Sequence, residues 1–272
     1  MTQTPLLFDR AALAQHRQRA HGTDLFLQQL AADEVEDRLS MVNRSFTRPA
    51  IVSGFPGFWA QWMPNAEVVE DEDILPLKAG RYDLVIHAMC LHWASDPVGQ
   101  IIQCRRALRP DGLFLAVLLG GQTLHELRAA LAEAESRETG GLSPRVAPMA
   151  EIRDLGALLQ RADLALPVAD SVTTTAQYRD MTHLMHDLRD MGESNALAGR
   201  LRRPTRRAVF ERAEHLYRHR FATADGKLPA TFELVCLTGW APADSQPKPL
   251  RPGSAAARLA DALNTTETKL PD

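Results

Sequence analysis

Apolar positions change period along the chain, and the changes mark out alternating helices and strands. Between residues 24 and 43, Leu27, Leu30, Ala31, Val35, Leu39 and Val42 recur at helical spacing, with Asp24 placed as N-cap. Pro49 breaks that pattern. Ala50-Ile51-Val52 then runs into Ser53-Gly54-Phe55-Pro56-Gly57, which predicts a strand and a tight loop, with one or two helical turns over 58–63. Residues 66–70 predict a short strand that ends in the acidic run Glu70-Asp71-Glu72-Asp73. Residues 82–88 form the clearest buried strand. Asp96-Pro97 has the composition of a helix start, since proline suits the first helical position and aspartate the one before it. That helix runs to Leu108, Arg109-Pro110-Asp111-Gly112 predicts a turn, and 113–119 is a further apolar run closed by Gly120-Gly121.

The second half continues the alternation. It predicts helices over 124–137 and 149–162, a strand over 166–172, helices over 176–191 and 205–221, and a last strand over 231–240. Strands and helices at this spacing point to βαβ units and a mostly parallel sheet, with the last strand inserted antiparallel. The organisation expected is N-terminal helices over 1–45, a sheet domain over 46–240 with a helical insertion at 176–221, and a flexible tail over 241–272.

Composition narrows the class. The 272 residues are 45% hydrophobic and 24% charged, the mix of a folded globular chain. A net charge of −3 supplies no global basic field for nucleic acid. Cys90, Cys104 and Cys236 are widely spaced, with no CxxC pair for zinc or a disulfide framework, which fits a reducing compartment. No run of about 18 apolar residues is long enough to cross a membrane. The first twenty residues lack the apolar stretch of a secretory signal and read as a surface helix. His215 and His219 stand four apart, but without a third ligand they predict no metal site. Eight arginines between Arg200 and Arg220 form a basic stripe with few aromatics, more suited to a protein partner or to solvent than to RNA.

In an open α/β sheet, ligands bind beyond the carboxyl ends of the strands. Four segments stand there: the Gly54–Gly57 loop, the acidic run from Glu70, Met89-Cys90-Leu91-His92-Trp93, and Gly120-Gly121-Gln122-Thr123. The succession Asp71-Glu72-Asp73-Ile74-Leu75-Pro76-Leu77, Tyr82-Asp83-Leu84-Val85, Leu91-His92-Trp93 and Leu108-Arg109-Pro110-Asp111-Gly112 resembles the class I S-adenosylmethionine-dependent methyltransferases. Gly120 to Arg128, Gly141-Leu142-Ser143-Pro144-Arg145 and Asp187 to Asn195 narrow the likeness to the complex I assembly factor 5 family, whose members are assigned as protein-arginine hydroxylases. The carrier-protein methyltransferases of biotin synthesis are similar at a greater distance. The likeness extends from about Leu7 to Trp240.

The resemblance implies a Rossmann-like α/β fold, S-adenosylmethionine as cofactor and a protein substrate such as a complex I subunit. It places Gly54, Gly57, Asp71, Glu72, Cys90, His92 and Trp93 on the cofactor side. Gly121, Thr123, Arg145, Gly192, Glu193 and Asn195 fall on the substrate side. It also implies a cytoplasmic location in a bacterium, or the mitochondrial matrix in a eukaryote. The first loop departs from the family pattern, with Val52 where an acid binds the methionine ammonium and Pro56 where the central glycine belongs. Only eight residues separate Gly57 from Ala66, so the ribose-binding strand is expected to be missing; the other alignment makes 66–70 that strand, with Glu70 or Asp71 on the ribose. In the first alignment Asp71 and Glu72 lie near adenine or a substrate guanidinium. Three functions follow: modification of a partner's side chain, a non-catalytic assembly scaffold that has lost its cofactor, or a small-molecule methyltransferase.

Overall fold

Pro49–Ser53 (β1) and Tyr82–Ala88 (β3) are buried at every position and are apolar apart from Ser53, Asp83 and His87. They pair in parallel at the centre of a six-stranded sheet. The structure is a computed structural model and describes residues 6–20, 25–247 and 265, so the Asp24 cap and most of the expected tail lie outside it. Its contacts divide the chain after Pro242, and the fold below belongs to the unit that ends there.

The elements in order are helices Arg10–Gln18 (α1) and Phe26–Met41 (α2), β1, helix Pro56–Trp62 (α3), strand Glu67–Val69 (β2), β3, and helix Pro97–Ala107 (α4). Strand Leu108–Leu119 (β4), helices His125–Thr139 (α5) and Ile152–Arg161 (α6), and strand Ala165–Tyr178 (β5) follow. Helices Met181–Asp190 (α7) and Arg207–Phe221 (α8) and strand Leu228–Trp240 (β6) complete it. The strand order is β2-β1-β3-β4-β6-β5, with β6 antiparallel to both neighbours, as the sequence predicts for the last strand. This is the α/β, mostly parallel arrangement of the class I methyltransferase fold, reduced beyond β1 to a three-residue stub.

Local chemistry accounts for most boundaries. Asp96 caps α4 by accepting from Gly99 N at 2.8 Å, and Pro97 takes the first helical position. Two expectations need correction. Arg109-Pro110-Asp111-Gly112 does not separate two elements but bulges out of a single strand: Tyr82 pairs with Leu108 and Leu84 with Leu113, and Asp111 takes a φ of 60°. Residues 176–178 do not begin a helix, because Ala176, Gln177 and Tyr178 pair with Ala230, Pro229 and Leu228 at the end of β5. α7 starts only at Met181, where Asp180 accepts from His183 N at 2.7 Å.

Two apolar layers cover the sheet. Leu27, Trp59, Leu127, Leu184 and Tyr217, from α2, α3, α5, α7 and α8, pack with one face, and Ile101, Cys104, Leu155 and Leu159 of α4 and α6 with the other. The three cysteines are buried free thiols. The arginine stripe is largely neutralised within the chain. Arg200 and Arg202 pair with Asp9, Arg207 with Glu211, Arg212 with Glu138, Arg218 with Glu214, and Arg220 with Glu133.

Candidate functional site

The sheet order reverses between β1 and β3, so their carboxyl ends flank the crevice where open α/β sheets bind ligands. Its floor is a polar network inside apolar walls. His87 on β3 is fully buried, with Nε2 2.7 Å from Gln100 Oε1. Gln100 Nε2 donates to Glu72 O at 3.0 Å, which turns the amide oxygen toward His87 and makes Nε2 the protonated ring nitrogen. Nδ1 is left as an acceptor 3.3 Å from Cys90 Sγ, whose thiol also lies 3.4 Å from Val52 O. Burial lowers the His87 pKa to about 4, so the ring is neutral near pH 7. Burial raises the Cys90 thiol well above its ordinary range, which keeps it unreactive.

Asp71 follows β2 and is only 4% exposed. Burial alone raises its pKa, but the charge and hydrogen bonds of Arg17 outweigh burial and lower it, so Asp71 is ionised. Arg17 donates through Nη1 to Oδ1 at 2.6 Å and through Nη2 to Oδ2 at 3.1 Å, a two-pronged pair. Arg10 adds a bond to Oδ2 at 3.3 Å and a second to the Asp71 carbonyl.

Both arginines come from α1, which forms the roof. Asp9 caps α1 by accepting from Ala12 N at 3.0 Å and also pairs with Arg200 at 2.9 Å. Phe8 bridges to Leu197 and meets Trp93 edge to face at 5.2 Å. α1 is thereby tied to Asp71 on one side and to residues 196–202 on the other.

The comparisons with known proteins agree with this topology. Residues 10–116 match the family model described as a methyltransferase domain. An arginine-hydroxylase NDUFAF5, mitochondrial, of Danio rerio is 38% identical over 202 residues, covering 73% of this chain and 62% of that protein. The protein of the same name in Dictyostelium discoideum is 39% identical over 201 residues, covering 74% of this chain and 44% of its own length. A malonyl-[acyl-carrier protein] O-methyltransferase of Xylella fastidiosa is 34% identical over 181 residues, covering 66% of this chain and 59% of that protein. The chain therefore spans about three-fifths or less of the relatives' lengths.

Over residues 10–116 this chain is similar to a methyltransferase domain.

S-adenosylmethionine is the cofactor of that family. The residues present here do not fit it in the arrangement described. Gly54 offers the close backbone approach that the cofactor requires, yet a Cβ built there lies 2.1 Å from Arg17 Cζ, so the guanidinium fills the space. Val52 is fully buried in place of the ammonium-binding acid. Pro56 opens α3, and Gly57 beside it faces open solvent. The cavity left between α1, Gly54 and the acidic run is about 180 Å³.

On the other side of Trp93 the domain keeps a second, apolar cavity of about 270 Å³, walled by side chains such as Leu119, Leu127, Leu188, Phe210 and Phe232. Its polar corner is made by the C-terminus of α7. Gly192 takes a φ of 77° there, with Gly192 N bonded to Arg189 O and Glu193 N to Leu188 O, the paired bonds of a left-handed helix stop. That stop turns Glu193 inward, where Oε2 accepts from Trp93 Nε1 at 3.1 Å and lies 3.6 Å from His92 Nε2. His92 Nδ1 accepts from Leu119 N at 3.4 Å, so Nε2 carries the proton facing that carboxylate.

The predicted residues thus fall into groups. Gly54, Asp71 and Glu72 meet at the roofed crevice, with Cys90 beneath it. Trp93, Arg145, Glu193 and Asn195 line the apolar cavity, with His92 behind Glu193 and Gly192 placing it. Arg145 is committed to Glu135 at 2.6 Å and to Thr205 at 2.9 Å. Asn195 donates to Pro144 O at 2.8 Å. Thr123 is fully buried and exchanges bonds with the Glu233 backbone, and Gly121 packs against Glu151. Arg10, Arg17, His87 and Gln100 were not singled out from sequence. A histidine inside a strand otherwise polar only at Asp83 was the available signal for His87; the arginines had none beyond their place in a surface helix.

Proposed function

We propose that this chain is an assembly-factor-type protein that acts on an arginine of a protein partner, with a respiratory-chain subunit as the partner class. The observation that carries the reading is the Asp71 carboxylate: buried, ionised and built to accept guanidinium groups at the switch point of a methyltransferase fold. Its support from outside the chain is the likeness to arginine hydroxylases, which is close over the shared segment. In this role Asp71 orients the guanidinium, Glu72 lies exposed beside it at the rim, and the cavity behind Trp93 takes the apolar neighbours of the arginine. The setting is the cytoplasm, or the mitochondrial matrix for a eukaryotic chain.

A second reading, a non-catalytic scaffold, is favoured by one observation: the Arg17 guanidinium fills the space over Gly54. The two are separated by mass spectrometry of the partner subunit, purified from cells with the wild-type chain, without the chain, and with Asp71→Asn. A methyl or oxygen increment on one arginine, lost in both comparison strains, supports action on arginine. Normal assembly of the complex with unmodified arginines refutes it and leaves the scaffold.

A further inference from the structure

The crevice holds a cation that belongs to the protein itself. The Arg17 guanidinium lies where a Gly54 side chain would be, within 2.1–2.4 Å of that ideal Cβ through three of its atoms. Glycine at 54 is therefore needed by the arginine above it, whatever else once approached that backbone. The planar fork meets both Asp71 oxygens, and Arg10 supplies a second guanidinium to the same residue. With a side chain only 11% exposed, Arg17 is held as a bound ligand is held, not as a surface charge. Its helix is fastened at its start by Asp9 and by the Phe8–Leu197 bridge, and among the described residues α1 alone covers the crevice.

We propose that the crevice at the ends of β1 and β2 is a guanidinium site that the chain fills in cis with Arg17, and that the wild-type protein is thereby closed to S-adenosylmethionine. The diffusible ligand it admits is an arginine side chain, which enters by exchange with Arg17. This deepens the arginine reading above and rests on it only for the identity of the incoming group.

The test is chemical rescue in the whole 272-residue chain. Arg17→Ala removes the guanidinium and leaves Asp71 facing an arginine-sized gap. Guanidinium chloride at low millimolar concentration is expected to raise the melting temperature of Arg17→Ala by a few degrees in a saturable way. Equal sodium chloride leaves it unchanged, and the wild type does not respond to either salt. Titration of the wild type with S-adenosylhomocysteine is expected to give no heat. A folded Arg17→Ala that ignores guanidinium overturns the proposal. So does a wild type that binds S-adenosylhomocysteine in the micromolar range and loses that affinity in Arg17→Ala, since Arg17 is then a cofactor clamp.

If Arg17→Ala does not fold, Gly54→Ala is measured in the wild type and in Arg17→Lys. The added methyl group is expected to lower the melting temperature several-fold more in the wild type, where the guanidinium blocks it. Equal losses in the two backgrounds overturn the proposal. None of these readouts involves a partner, so action on a partner's arginine can fail while the site stands, and the reverse.

Discussion

The two cavities at the carboxyl edge of the sheet are built on opposite principles. The one under α1 is charged and filled: Asp71 is satisfied by arginines of the same chain. The one under α7 and α8 is apolar and open, with a single carboxylate, Glu193, held at its corner by Trp93. Charge in a low-dielectric crevice must be compensated at once, so the first cavity is closed from within. Apolar walls tolerate a gap at modest cost, so the second stays available to a ligand.

The largest way to break this contrast is Asp71→Ala. It leaves Arg17 buried without its partner, and the expected loss is about 3–5 kcal/mol in urea unfolding. A loss below about 1 kcal/mol would mean that the arginines turn out to solvent freely. Next is the His87 network beneath the charged side. A histidine whose folded pKa is depressed to about 4 stays neutral while the unfolded chain takes up a proton below about 6.5. Stability is therefore complete above that range and falls as pH drops from about 6.5 to 4, by a contribution on the order of 3 kcal/mol. His87→Gln is expected to flatten that part of the stability–pH curve, measured by unfolding at several pH values.

The apolar side is expected to respond less. Trp93→Phe keeps the aromatic wall but removes the indole donor to Glu193, with an expected cost of about 2 kcal/mol. Gly192→Ala forces a side chain into a left-handed backbone and toward Phe55 Cζ at 3.0 Å, with an expected cost of about 1 kcal/mol. If Gly192→Ala costs more than Asp71→Ala, the contrast between the two sides is wrong.

Much of the fold was legible because its signals are local. The strand over 82–88 has the predicted ends, since a central parallel strand is mostly apolar and a helix signal follows it. The Asp96-Pro97 start was equally plain. The end of β5 was not, because Thr173-Thr174-Thr175-Ala176-Gln177-Tyr178 has no pattern of its own and is a strand only through pairing with β6. The candidate site divides in the same way. Asp71 stood out through its motif, but Arg17 is 54 positions away and no local feature announces the pair. Glu193 and Trp93 were legible as types of residue; their contact across 100 positions was not.

The seat of α1 has a consequence for how the protein is made. Asp9 meets Arg200 across 191 positions of chain, and Phe8 meets Leu197. A ribosome adding about 5–20 residues per second needs roughly 10–40 seconds to deliver that far side of the strap. During that interval α1 already exists and its far anchor does not. Until then the roof over the crevice is held by Asp71 and Trp93 alone, and its far side hangs without a clamp.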